Sequence, residues 1–177
     1  LWHRMYWACF LHDFGKAADG FQERLRDNPP RNEWVEGRHR HEVLSLAFVD
    51  WLFPPGHPDR LPVICAIVSH HRDPDSEDIF EKYGAGHRTP EQVERIAYLI
   101  NQIPLQVVYD LWRWLSEYGS AWQHYHGIPV ADVVEPTHAY EISVQAICRA
   151  LDDCSGHLLD YEDALLSPSD MLRDLTY

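Results

Sequence analysis

The pair His70-His71 places the strongest constraint on how this chain can fold. It ends the apolar run Leu61–Ser69. If that run is helical, Val63 and Ile67 lie on the same side as the histidines, so both imidazoles project toward the buried side. Burial of two neighbouring imidazoles costs solvation free energy unless each finds a polar partner, and one metal ion supplies a partner for both. A tandem core pair without a metal is the alternative.

The apolar residues recur at helical rather than strand spacing along the whole chain. Thr89-Pro90-Glu91-Gln92 is typical of a helix start, with a capping hydroxyl, a proline at the first helical position and Gln92 three residues after the cap. The pattern predicts an all-α, compact single-domain helical bundle over residues 1–177. Helices are expected at residues 1–11, continuing toward Lys16, and at 38–53, 61–71, 89–101, 108–122 and 137–155, with loops at 27–32 and 73–88.

Two further histidines fit the same buried side. On a helix, Lys16 lies four residues after His12 and three after Asp13, so an imidazole, a carboxylate and an ammonium converge. His41 shares a helical face with apolar residues and is predicted to point into the core. His39 is predicted to point outward, because residues two positions apart on a helix, such as His39 and His41, project in directions about 200° apart. Taken singly, each histidine also fits a hydrogen-bonded structural role.

Composition excludes several classes of protein. The 177 residues carry 45% apolar residues and a formal net charge of -13, which disfavours disorder and also disfavours nucleic-acid binding by charge alone. The four cysteines form no CxxC pair, which disfavours a zinc knuckle or a disulfide framework. No apolar run reaches the ~20 residues that span a bilayer.

Three stretches together resemble a known family. They are HDFGKA at residues 12–17 with Phe21-Gln22 shortly after, RHEVLSL at 40–46, and SHH at 69–71. They resemble the HD superfamily of metal-dependent phosphohydrolases and, within it, the HD nuclease domain of the CRISPR-associated helicase-nuclease of type I interference systems. The resemblance covers the first half of the chain well.

The resemblance implies a further aspartate on a late helix, and two adjacent acids are candidates. Asp152 shares a helical face with Cys148 and Val144, whereas Asp153 shares one with Arg149. We therefore expect Asp152 to be the inward residue. Two adjacent acids on a helix also fit plain solvated residues.

The resemblance further implies a two-metal phosphodiesterase. His12, Asp13 and Asp152 would hold one metal, and Asp13, His41, His70 and His71 the other, with Asp13 bridging. Lys16 would act catalytically on the scissile phosphate and, with Arg40 and Arg72, would bind substrate. Mixed imidazole and carboxylate ligands suit Mn, Ni, Fe or Co, with Mg or Zn as alternatives.

The family also carries a metal-binding histidine on a helix well upstream of the HD pair, and this chain has almost no residues there. His3 is a poor substitute, because it lies nine positions before His12 and therefore on the opposite face of the same helix. We therefore expect an N-terminal helix to be missing.

The expected partners are single-stranded DNA, a helicase domain fused or acting in trans, and an RNA-guided CRISPR surveillance complex, with no membrane and in the cytoplasm. Two alternatives remain. One is an HD-type nucleotide or cyclic-nucleotide phosphohydrolase, and the other is a catalytically inactive HD interaction module.

Overall fold

The fold is entirely helical over the part of the chain that the computed structural model describes, residues 2–29, 32–34, 39–71, 78–127, 136 and 140–165. This confirms the predicted all-α class. Those residues form no strand beyond one isolated bridge between Ala85 and His87. The α-helices are α1 Trp2–Leu11, α2 Asp19–Arg24, α3 His41–Ser45, α4 Arg60–Ser69, α5 Asp78–Tyr83, α6 Pro90–Asn101, α7 Leu105–Tyr125 and α8 Val144–Leu165, with 3₁₀ segments at Phe14–Ala17 and Leu46–Trp51.

Helices α1 and α4 lie side by side and run in the same direction. At their beginnings, His3 Nε2 lies 2.9 Å from Asp59 Oδ2, just before α4. At their ends, the rings of His12 and His70 lie 4.7 Å apart. Each helix has 10 residues and is therefore about 15 Å long, so the pair carries its histidines to one end of the domain.

Helix α7 packs across the other face of α1 through aromatic side chains. The Phe10 ring stacks on that of Trp114 at 5.1 Å and meets that of Trp122 edge-on at 5.5 Å. Gly119 has no side chain, and a Cβ there would lie 3.4 Å from the Trp7 ring, so the two helices approach closely at this point. Such ring pairs stabilise the contact beyond the apolar area they bury.

Helix α8 covers the 3₁₀ segment Leu46–Trp51 and α4 with one apolar stripe. The buried residues of this stripe are Ala146, Ile147, Ala150, Leu151 and Cys154. The Cys154 and Cys65 sulfurs lie 3.7 Å apart across α8 and α4. All four cysteines are free thiols.

Helix α6 begins as its sequence predicts. Thr89 Oγ1 accepts a hydrogen bond from Gln92 N, and the Gln92 side chain accepts one from Thr89 N, which completes a capping box with Pro90 in the first turn. The predicted boundaries of this helix are confirmed. The apolar spacing from Val108 to Trp122 also lies within one helix, α7.

Other predicted boundaries were wrong. The first helix ends at Leu11, and 3₁₀ geometry follows a turn rather than a continuous helix to Lys16. The helix expected at 38–53 is divided into α3 and the 3₁₀ segment Leu46–Trp51. The segment expected to be a loop at 73–88 contains α5, the last helix starts at Val144 rather than 137, and α2 was not anticipated.

None of the helices within the described ranges combines the length and the apolar character needed to cross a bilayer.

Candidate metal centre

The candidate site lies where α1 and α4 end and α3 begins. His12 and Asp13 follow α1 directly, His70 and His71 follow α4, and His41 is the first residue of α3. Arg40, just before α3, has an extended backbone with ψ 113°. The chain direction therefore changes at Arg40, and His41 faces the ends of α1 and α4.

Two overlapping groups of potential ligand atoms result. One consists of His12, Asp13 and His70, and the other of His41, His70 and His71. Within each group, the nitrogen and oxygen atoms lie within 4.8 Å of one another, and His70 belongs to both. The structure thus brings together five of the six residues predicted as metal ligands.

Backbone carbonyls fix the orientation of two of these imidazoles. His12 Nδ1 lies 2.6 Å from the Cys9 carbonyl oxygen, and His70 Nδ1 lies 2.6 Å from that of Ile67. A carbonyl only accepts hydrogen bonds, so Nδ1 carries the proton in both rings and Nε2 keeps its lone pair. His70 Nε2 is buried and has no hydrogen-bond partner among the described residues.

Burial keeps two of the site imidazoles, those of His41 and His70, neutral near pH 7. Desolvation, opposed by the neighbouring Glu42 carboxylate and reinforced by Lys16, His71 and His70, lowers the pKa of His41 to about 4. Desolvation likewise lowers the pKa of His70. Neutral imidazoles can donate a lone pair to a metal ion near pH 7, whereas protonated imidazoles cannot.

Asp13 is ionised and surrounded by nitrogen donors. Burial opposes ionisation, but the hydrogen bond from Lys16, the neighbouring His12 and His41 and the Lys16 charge together lower the pKa of the carboxyl group. Lys16 Nζ lies 2.7 Å from Asp13 Oδ1, and the Nε2 atoms of His12 and His41 lie 3.3 and 3.4 Å from the same oxygen. The convergence predicted for His12, Asp13 and Lys16 is present, although a turn and not a helix produces it.

Ser45 connects the turn at His12-Asp13, the HD turn, to α3. The sequence analysis did not identify this role. Its hydroxyl donates to the His12 carbonyl oxygen at 2.6 Å and accepts from the Gly15 amide at 2.8 Å. A Cβ at Gly15 would lie 2.0 Å from the His41 carbonyl oxygen, so only glycine allows this approach. The sequence could have indicated this role, because Ser45 lies four residues after His41 and therefore on the same helical face.

Glu42 was also missed as a functional residue. It is 1% exposed, forms an ion pair with Arg40, and has Oε2 3.5 Å from His41 Nδ1. A carboxylate behind an imidazole orients the ring and makes its other nitrogen a better ligand. Its position directly after His41 could have suggested the role.

These residues fit divalent metal ions. The donors are imidazole nitrogens and one carboxylate, backbone hydrogen bonds orient the rings of His12 and His70, and the buried Nε2 of His70 lacks a hydrogen-bond partner among the described residues. His41 Nε2 and His71 Nε2 face each other at 3.3 Å. Such mixed nitrogen and oxygen sets suit first-row transition metals.

The prediction that His39 points outward was wrong. The residue is 7% exposed, its ring stacks on that of Tyr98 at 4.9 Å, and its Nε2 lies 2.9 Å from Glu33. The prediction assumed that His39 and His41 lie on one helix, where their side chains would project about 200° apart. Since Arg40 is extended and α3 begins at His41, both side chains point inward.

The expectation that Asp152 points inward was also wrong. Its side chain is 39% exposed, and Oδ1 lies 2.7 Å from both the Gly86 amide and Arg88 Nη2. Asp152 lies beside the buried stripe of α8, not on it, and belongs to neither ligand group. Asp153 is 46% exposed and bound to Arg60, so neither acid is inward.

The predicted substrate-binding cations lie in different settings. Lys16 and Arg40 line a cleft of about 550 Å³ next to His41 and His71. Arg72 lies outside the described residues. His3 binds Asp59 at the far end of α1, away from the site.

The fold and the site together define a class. An all-helical domain with an HD turn and further histidines from two other helices, converging as nitrogen and carboxylate donors, has the architecture of a metal-dependent phosphohydrolase. The family model described as "Cas3, HD domain" matches residues 2–148, and the chain belongs to this family. The match includes all five converging residues and ends before Asp152.

Family membership implies a metal-dependent phosphohydrolase or nuclease of a type I CRISPR system, which binds divalent metals and works in association with a helicase. No curated protein and no solved structure shows significant similarity to the chain.

Proposed function

We propose that this chain hydrolyses phosphodiester bonds of single-stranded DNA through two divalent metal ions, as the nuclease of type I CRISPR interference. The observation that carries the proposal is the pair of ligand groups that share His70. His70 offers only Nε2 and can bind one ion, so the bridge between two neighbouring ions would be Asp13, whose Oδ1 lies 3.3 and 3.4 Å from Nε2 of His12 and His41. Such ion pairs lower the pKa of a bound water and offset charge on a phosphate.

The proposed ligand sets follow the sequence analysis. His12 and Asp13 contribute to one ion, and Asp13, His41, His70 and His71 to the other, with Asp13 shared because its ionised carboxylate has two oxygens. Asp152 remains a proposed ligand of the first ion. Its carboxylate binds Arg88 and Gly86 through Oδ1 and lines a cleft with Arg60 at the start of α4, so it would have to leave these partners and move toward the end of α4 where His70 lies.

Lys16 is proposed to bind the scissile phosphate. Its ammonium group is held by Asp13 at the edge of the cleft and is 35% exposed. A fixed cation at this point stabilises the charge that develops on the phosphate oxygens and needs no deprotonation. Arg40 lies deeper, and its charge is offset by Glu42.

The metal and the partners are proposed from the ligand chemistry and the charge. Mn, Ni, Fe or Co suit the donors best, with Mg or Zn as alternatives. The net charge of -13 requires a partner that supplies phosphate binding, for which a helicase and an RNA-guided surveillance complex are proposed, in the cytoplasm. We further propose that one HD domain comprises residues 1–177.

Cleavage of circular single-stranded DNA tests the proposal. The purified protein with Mn²⁺ or Ni²⁺ should degrade it, and Asp13→Ala should abolish degradation because the shared carboxylate is lost. Asp110→Ala is the matched control, since Asp110 lies on the surface of α7 and binds only Arg113 among the described residues. Cleavage by a folded Asp13→Ala protein contradicts the mechanism.

Two further measurements separate the alternatives. Release of product from mononucleotides or cyclic nucleotides, but not from DNA, would favour a small-molecule phosphohydrolase. Well under one metal ion per chain, measured by elemental analysis after loading, would favour an inactive interaction module.

A further inference from the structure

The cleft beside the candidate metal centre extends well beyond the space that one phosphate needs. It has a volume of about 550 Å³ and opens next to His41 and His71. Its other lining residues come from the HD turn, α2 and the start of α3: Lys16, Phe21, Arg24, Leu25, His39, Arg40 and Glu42. A substrate bound at the metal centre therefore has a path toward α2.

The three cations of this cleft differ in how their charge is balanced. Lys16 Nζ lies 2.7 Å from Asp13, and Arg40 is paired with the buried Glu42. Arg24 is exposed and forms no ion pair with any described residue. Since the other two charges are offset by carboxylates, Arg24 is the cation most available to a second anionic group.

An apolar surface adjoins both Lys16 and Arg24. The two cations lie 6.0 and 5.9 Å from the centre of the same Phe21 ring, and that ring lies 5.4 Å from that of His41. Leu25, next to Arg24, is 67% exposed although it is apolar. The wall thus combines two cations with an aromatic ring and an apolar side chain, and a nucleic acid strand offers the matching groups, successive phosphates with a sugar and base between them.

From this arrangement we infer that Arg24 binds a second phosphate of the substrate strand, next to the one at the metal centre, while Phe21 and Leu25 contact the sugar and base between them. The inference rests on the proposed function and extends it, because it requires a substrate with at least two linked phosphates, that is, a nucleic acid strand. A substrate with a single phosphate cannot reach the metal centre and Arg24 together.

The test compares two substrates in the same protein. One is an oligodeoxynucleotide, and the other is bis(4-nitrophenyl) phosphate, a diester with one phosphate. In Arg24→Ala, the ratio of kcat/KM for the oligonucleotide to kcat/KM for the small diester should fall about tenfold, because one charge-assisted contact to a phosphate is lost. Arg24→Lys keeps the charge and should restore most of the ratio.

Salt dependence gives a second readout that a merely structural role would not change. With metal chelated, the slope of log K against log salt for a labelled oligonucleotide should become shallower by about 0.7 in Arg24→Ala, the value for one phosphate contact to a single strand. Arg26→Ala is the matched control, because Arg26 is also exposed but does not line the cleft.

The outcomes distinguish the inference from the proposed function. An unchanged substrate ratio in Arg24→Ala, or an equal fall in Arg26→Ala, overturns the inference while the wild-type protein still cleaves both substrates. A wild-type protein that hydrolyses neither substrate with any of the proposed metals overturns the proposed function and the inference with it.

Discussion

At the scale of single residues, Glu42 connects the buried interior to the metal centre. It is almost fully buried between Arg40 and His41, and burial of an ionised carboxylate is favourable only when such partners are present. The pair Arg40-Glu42 is overall neutral, so it can hold the His41 ring without adding net charge to the site.

Replacement of Glu42 by glutamine should weaken metal binding. Glu42→Gln keeps the size of the side chain but removes the charge that orients His41, so Mn²⁺ affinity should fall by roughly tenfold or more. Isothermal titration calorimetry measures this without any activity assay. Glu91→Gln, on the exposed side of α6, is the control and should bind Mn²⁺ like the wild type. Equal affinities in both variants would exclude a role for Glu42 in positioning.

Gly15 should tolerate no side chain. The Cβ of Gly15→Ala would lie 2.0 Å from the His41 carbonyl oxygen and 3.0 Å from the Ser45 amide, and both are backbone atoms that cannot turn aside. The free energy of unfolding should fall by roughly 2 kcal/mol or more. Chemical denaturation measures it.

Gly156→Ala is the control for Gly15→Ala. Gly156 lies within α8 and its Cβ would meet open space, so alanine should leave stability unchanged or raise it by about 0.5–1 kcal/mol. A Gly15→Ala protein as stable as the wild type would show that the HD turn and α3 are not packed this closely.

At the scale of helices, the register of α1 against α4 positions the histidines. Asp59 accepts from His3 at 2.9 Å and from Arg4 at 2.6 Å, which ties the start of α1 to the start of α4. Because the two helices have equal lengths and run in the same direction, this contact at one end aligns His12 with His70 at the other.

The Asp59 contact should contribute stability that depends on pH. Burial opposes ionisation, but the hydrogen bonds from His3 and Arg4 lower the pKa of Asp59 below its ordinary value. A lowered folded-state pKa stabilises the fold fully above the unfolded value of about 3.9, and the contribution is lost as the pH falls through the folded value.

Asp59→Asn should therefore lower the free energy of unfolding by about 1 kcal/mol at pH 7, and its difference from the wild type should shrink below about pH 4. Urea denaturation at a series of pH values measures this difference. Asp110→Asn, which removes an exposed carboxylate of α7, should cost little at any pH. If the difference in free energy of unfolding between Asp59→Asn and the wild type grew toward low pH, the folded protein would not lower the pKa of Asp59.

At the scale of the whole molecule, the net charge of -13 limits what the domain can do alone. Repulsion between this charge and the phosphates opposes binding everywhere except where local cations such as Lys16 and Arg24 face the strand. A nucleic acid strand bound as proposed would therefore depend on another basic surface to bring it to the cleft.

The isolated protein should bind a single-stranded oligonucleotide weakly, with a Kd no tighter than about 10⁻⁴ M at physiological salt. Fluorescence anisotropy of a labelled oligonucleotide measures it. Fusion to a basic helicase domain should raise the affinity by orders of magnitude through effective concentration. Submicromolar binding by the isolated chain would show that the acidic surface does not limit access.

The sequence predicted much of the fold and of the site, for reasons specific to certain residues. Helical spacing of apolar residues and the capping box at Thr89 depend on neighbours in sequence, and both predictions are confirmed. The motifs at His12-Asp13, His41 and His70-His71 identified residues that do converge. His39 and Asp152 were misjudged, because both judgements assumed a regular helix or a fixed helical face where the backbone and the neighbouring helices decide burial.

The sequence by itself determined the all-helical class, the family and the five residues that meet at the metal centre, because periodicity and motifs are encoded locally. Only the tertiary structure decided that Glu42 supports His41 and that Arg88 binds Asp152. It also decided that Arg24, whose charge no described carboxylate balances, lines the cleft. Arg88 and Asp152 are far apart in sequence, as are Arg24 and His41, and packing of the helices fixes their distances. Glu42 directly follows His41, but its burial depends on the elements packed around it.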